Sequence, residues 1–138
     1  MNLVVCLDKN GGMLFNKRRQ SRDSAVYEKL LTLAQGAPVW MTASAAALFA
    51  AVQHNPADVR TDEAPVTKAG RGEWCFFEGH PSLIPWENVE QLHVVLWNRA
   101  YPSDTRFPDD ELQGKKPVSK ENFPGTSHDK ITWEVYAL

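Results

Sequence analysis

Leu3-Val4-Val5-Cys6-Leu7, followed at once by Asp8-Lys9-Asn10-Gly11-Gly12, decides the fold class. Five apolar residues in a row leave no side for solvent, and the run is too short for a helix. It predicts a strand buried on both faces, as found inside a parallel sheet. Asp, Asn and two glycines then supply strong turn chemistry. Working outward, Met13 to Arg22 shows no period and reads as a loop. Asp23 or Ser24 caps a helix whose face is Val26, Leu30 and Leu33, and Gly36 stops it.

A second strand and helix follow, and the chain shows no internal repeat. Pro38-Val39-Trp40-Met41-Thr42 predicts a second strand, and Ser44 caps an Ala-rich helix ending at His54-Asn55-Pro56. Val59 to Thr61 is a short strand, and Asp62 to Ala69 a short helix. Trp74-Cys75-Phe76-Phe77 is another buried run, and Pro81 to Trp86 a helical turn. Leu92 to Trp97 is the longest strand. Residues 99–128 are rich in Pro, Gly, Asp, Lys and Ser and read as irregular. In the last segment Ile131, Trp133 and Val135 alternate with polar residues, which predicts a half-exposed antiparallel partner. Strands alternating with helices imply a three-layer α/β fold around a mostly parallel sheet. In such folds function gathers beyond the carboxyl ends of the strands. That points to Asp8–Arg22, Thr42–Ser44, Glu78–Pro81 and Asn98–Pro108.

The chain has 138 residues, 43% of them hydrophobic and 23% charged, which suits a single globular domain over residues 1–138. No segment is long and apolar enough to span a membrane, and the N-terminus does not read as a signal peptide. Cys6 and Cys75 lie in distant apolar runs, so both are expected to be buried, reduced and in the cytoplasm. The net charge of −2 conceals an asymmetry: residues 1–30 carry six bases and three acids, the remainder nine bases and fourteen acids. Lys17-Arg18-Arg19 with Arg22 is the sharpest local feature, a local anion site at most. Nucleic acid is not the expected partner, because the rest of the chain is acidic.

Metal chemistry is not expected. His54, His80, His93 and His128 lack ligand spacing, and neither cysteine is placed to help. His93, inside an apolar strand, reads as a hydrogen-bonded core imidazole. The sequence has no GxGxxG, no GxxxxGK[ST] and no GxSxG motif.

Several stretches together resemble dihydrofolate reductase. These are Leu3–Asp8 with Gly11-Gly12, Asp23 leading a helix, Ala37–Met41, Val89–Val95, Asp104-Thr105-Arg106-Phe107-Pro108, and Ser127-His128 before the last strand. The chain looks like a shortened, divergent member. It is also similar to a group of small bacterial proteins to which the name ribonuclease Z has been attached. That activity needs clustered metal-binding His and Asp residues, which the sequence lacks.

The resemblance implies an NADPH and pterin cleft, but the residues depart from the family's pattern there. Gly-Arg-x-Thr, which grips phosphate, is replaced by Thr42-Ala43-Ser44-Ala45. A glycine pair is reduced to Glu78-Gly79, which sets a carboxylate beside a pyrophosphate. Pro-Trp in the mobile loop gives way to Asn16-Lys17-Arg18-Arg19. The family's pterin carboxylate falls on Asp23, the candidate catalytic residue, or else its position is held by Val26. The expectation is a degenerate cofactor site binding a small anionic ligand or a protein partner, through Arg18, Arg19, Ser44, Glu78 and Gly79. The alternative is an NADPH-dependent reductase of a pterin-like substrate with a rearranged cofactor site, Asp23 anchoring the pterin.

Overall fold

The computed structural model describes residues 1–52 and 54–138. Seven strands build the main sheet: β1 (Asn2–Leu7), β4 (Pro38–Met41), β5 (Asp58–Thr61), β6 (Trp74–Phe76), β7 (Gln91–Leu96), β9 (Ser119–Phe123) and β10 (Ile131–Ala137). Their spatial order is β5-β4-β6-β1-β7-β10-β9, which puts β1 at the centre. The first five of these strands run parallel. β10 returns antiparallel to β7, and β9 pairs antiparallel with β10. Continuous apolar runs occupy the interior, as burial on both faces requires.

Alternation along β1 sorts its side chains into two cores. Leu3, Val5 and Leu7 pack on one face with Cys75, Leu92 and Val94. Val4 packs on the other with Val95, Ile131 and Trp133. Helices α1 (Ser24–Ala34) and α2 (Ala43–Phe49) both cover this second face, through residues such as Val26, Leu30, Ala45 and Phe49. The helices predicted at 62–69 and 81–86 are single 3-10 turns, Pro65–Thr67, Pro81–Leu83 and Trp86–Asn88. They cover the first face with Val66, Ile84 and Val89. Ile84, immediately before Pro85, is extended at φ −73° and ψ 118°, which ends the Pro81–Leu83 turn.

Other details differ from the sequence reading. The segment from Met13 to Arg22 is not a plain loop. β2 (Gly12–Phe15) and β3 (Arg18–Arg19) form a hairpin, joined by β8 (Thr105–Arg106) in a small second sheet. Its turn residues, Asn16 and Lys17, have φ of 51° and 61°, the positive values that primed hairpin turns require. β9 lies within the stretch read as irregular; its side chains are mostly exposed, so it carries no hydrophobic signal. β10 is therefore an inner strand. Thr42, not Ser44, caps α2, accepting the Ala45 N–H. At the end of α1, Gln35 already turns left-handed at φ 51°, and Gly36 follows at 86°.

Candidate functional site

The carboxyl ends of β1, β4, β6 and β7 lie on one side of the sheet, because the four strands are parallel. The β2–β3 hairpin and Arg22, Thr42, Ser44 and Glu78 enclose a cleft of about 650 Å³ there. A second hollow of about 540 Å³ lies against Phe15, Tyr101 and Pro102 and shares Arg18, Arg19 and Gln20 with the first. The segments singled out in the sequence therefore meet at one place.

Arg19 reaches across the cleft. Its Nε and Nη2 donate to the two carboxylate oxygens of Glu78 at 2.8 and 2.9 Å, and Nη2 also donates to Ser44 Oγ at 2.9 Å. The fork geometry fixes the guanidinium. The Glu78 hydrogen bonds lead the effects that raise the Arg19 pKa, with burial opposing them. Glu78 is thus neutralised within the site. Arg18, Lys17 and Arg22 line the same cleft with exposed side chains. With Arg19 that makes four basic groups to one carboxylate, a net charge of +3 on a chain of net charge −2.

Gly79, expected at the ligand, is not among the residues that line the cleft; a Cβ there would lie 3.0 Å from the ring of Phe77, a core residue. Gln20 donates from Nε2 to Asp8 and to the Pro102 carbonyl, which fixes its amide. Its Oε1 is then a buried acceptor with no partner among the described residues. Asp8 is itself buried and accepts from the N–H groups of Asn10, Gly12 and Tyr101, so it organises the turn beneath the cleft.

Asp23 sits at the base of the wall. Its Oδ1 accepts from Ala25 N, Thr126 N and Thr126 Oγ1, at 2.9 to 3.0 Å. Its Oδ2 accepts from Ser127 N and His128 Nδ1, both at 2.9 Å. Burial opposes ionisation, but donors from Thr126, Ser127 and His128 outweigh it and hold Asp23 well below the usual carboxylate range. It caps α1 and ties that helix to the turn before β10. Val26 is a fully buried core residue. Gly125 is required beside Asp23, since a Cβ there would overlap Oδ2.

The sequence reading gives three further residues of the site no role there, although His128 lies in one of the resembling stretches. His128 Nε2 lies 3.0 Å from both Ser21 Oγ and the Tyr101 hydroxyl, and its ring stacks on Trp97 at 4.8 Å. Separations of 107 and 27 residues hide this cluster from any spacing rule. Cys75 is buried as expected, but Cys6 is only partly so and adjoins a small hollow near Ser21; burial first and Glu78 second raise its thiol pKa well above the usual value, with Arg19 opposing. Among the described residues no three His, Cys, Asp or Glu side chains are grouped to hold a metal ion. No described helix is long and apolar enough to cross a membrane.

No family model matches the sequence, and no curated protein matches it. Among solved structures, dihydrofolate reductase from Enterococcus faecalis, complexed with NADP(H) and RAB-propyl, aligns with a TM-score of 0.63. The alignment covers 99% of this chain and 94% of that one. The chain has the dihydrofolate reductase fold. Identity over that alignment is 10%, so the likeness is one of architecture. In this example of the fold, Arg19, Glu78 and Ser44 bond to one another across the cleft.

Proposed function

We propose that the cleft binds a small anionic molecule and that the chain is a non-classical member of the dihydrofolate reductase fold, with a degenerate cofactor site. The single observation that carries this reading is the excess of four basic side chains over one carboxylate in a single cleft. Like charges clustered in one cleft raise the local anion concentration.

The solved dihydrofolate reductase is complexed with NADP(H), which makes a dinucleotide the larger ligand to weigh here. Two features favour a smaller anion. Arg19, the cation nearest Ser44, is committed to Glu78. Ala43 supplies no charge where the resemblance expects an arginine. Asp23 serves as a helix cap and hairpin anchor in this reading, its acceptor positions filled by the chain itself. The two free cysteines agree with a reducing compartment such as the cytoplasm.

The experiment is a thermal-shift titration at low ionic strength with inorganic phosphate, pyrophosphate, NADPH and folate. Phosphate and pyrophosphate should raise Tm in proportion to ln(1 + [L]/Kd). Arg18→Ala with Arg22→Ala should abolish the rise. Arg19 is left in place because its removal strands Glu78. An equal rise in the double variant removes this cleft as the site.

A further inference from the structure

We propose that Ser21, His128 and Asp23 form an acyl-transfer relay that opens into the cleft and hydrolyses a small ester carrying an anionic group. The geometry is that of an activated hydroxyl nucleophile: nucleophile to base 3.0 Å, base to orienting carboxylate 2.9 Å. Three groups in this order define such a relay on unrelated folds, whatever their order in sequence.

The proton positions follow from the partners. Asp23 is ionised and can only accept, so His128 Nδ1 carries a proton toward Oδ2. In the neutral ring Nε2 then has one lone pair. Ser21 and Tyr101 both lie 3.0 Å from it, and one hydroxyl can use it. Tyr101 also donates to Ser21 Oγ at 3.3 Å. The arrangement that uses these contacts has Tyr101 donating to Ser21 and Ser21 donating to Nε2. Stacking on Trp97 and burial to 4% exposure hold the imidazole plane. Ser21 itself is partly exposed and lines the cleft beside Arg22 and Gln20.

In the reaction Ser21 Oγ attacks the ester carbonyl carbon, and its proton passes to His128 Nε2. Tyr101, whose hydroxyl lies 3.3 Å from Ser21 Oγ, is the neighbouring donor that can turn to the developing charge. The tetrahedral intermediate collapses with loss of the alcohol, which takes the proton from Nε2, and leaves acyl-Ser21. Water then attacks the acyl carbon and gives a proton to Nε2. The C–Oγ bond breaks and Oγ recovers that proton. The net change is ester plus water to acid plus alcohol. Asp23 is a positioning residue, and Arg18 and Arg22 meet the anionic group. The charge of the substrate rests on the cleft reading above; the relay itself does not.

The test is reaction of the full chain with an uncharged fluorophosphonate, followed by intact mass and peptide mapping. The wild type should take up one adduct, on Ser21, and Ser21→Ala none. His128→Asn, checked for folding by circular dichroism, should label about 10²- to 10⁴-fold more slowly. Tyr101→Phe should hydrolyse a p-nitrophenyl ester about 10²-fold more slowly than wild type. A strongly downfield His128 Nδ1 proton resonance should be present in the wild type and absent in Asp23→Asn, which separates positioning from mere bracing. An unlabelled wild type, or equal labelling of Ser21→Ala, overturns the relay. Labelling of Ser21 without any phosphate-induced Tm rise sustains the relay and overturns the anionic reading. A phosphate-induced rise without labelling does the reverse.

Discussion

Arg19 holds Glu78 by two hydrogen bonds, 2.8 and 2.9 Å, across the mouth of the cleft. On the proposed reading, the pair lets a carboxylate stand in the cleft without repelling an anionic ligand. It also limits the charge available, since one of the four cations is spoken for. Glu78→Gln releases that charge. Phosphate affinity in the variant should rise about fivefold, equivalent to about 1 kcal/mol for a partly exposed pair. A phosphate titration followed by thermal shift measures it; unchanged or weaker binding contradicts the assignment of Glu78.

Asp23 connects α1 to the turn before β10 through donors more than a hundred residues away. Asp23→Ala removes a helix cap and strands several buried donors, at a cost of roughly 2–4 kcal/mol at neutral pH. The native carboxyl pKa lies below the unfolded one. Its contribution is therefore complete above the unfolded value, about 4, and is lost as pH falls below it. Urea unfolding at pH 7 and pH 3 should show the variant losing less stability on acidification than the wild type.

His93 behaves in the opposite sense to an ion-paired histidine. Its Nδ1 accepts from Trp133 Nε1 at 2.9 Å inside the core, and burial first, then the Lys29 charge, lowers its pKa to about 4. Between pH 6.5 and about 4 the unfolded chain binds a proton that the native one does not. Stability should fall by about 3 kcal/mol as pH drops through that window and be insensitive to His93 above it. His93→Gln, which can still accept from Trp133, should show a shallower fall in urea unfolding between pH 7 and pH 4.5. Parallel curves would place the titration elsewhere.

Much of this architecture was legible because it depends on short-range signals. The apolar runs at 3–7, 74–77 and 92–97 could only be buried strands, and parallel strands put their carboxyl ends together. The basic block at Lys17–Arg22 was visible as charge. What escaped was what pairing alone decides. β9 has a polar, exposed sequence and exists because β10 offers it an unpaired edge. The β2–β3 hairpin turns on Asn16 and Lys17 at positive φ, and a lysine there gives no turn signal. Glu78 read as repulsive because its partner lies 59 residues away. Ser21, Tyr101 and His128 form a cluster only after three loops have met.

Ordinary dihydrofolate reduction is not expected. Hydride transfer depends on the nicotinamide being held against the pterin, so positioning supplies much of the rate. On the proposed reading Ala43 makes no charge-assisted phosphate contact, a loss that should cost about 1.5–3 kcal/mol, roughly ten- to a hundredfold in affinity. NADPH oxidation with dihydrofolate should stay at background even at saturating cofactor. Turnover well above it, with micromolar NADPH binding by fluorescence, would mean that Arg19 or Arg18 takes over the missing grip.

The most direct measurement is an amide NMR titration of the full chain with inorganic phosphate. Saturable shifts should concentrate on Lys17–Arg22, Thr42–Ser44 and Glu78, the residues that enclose the cleft. Shifts that grow linearly without saturating, or that centre on the separate basic surface of Lys9, Arg99 and Lys130, would contradict an anion site in this cleft.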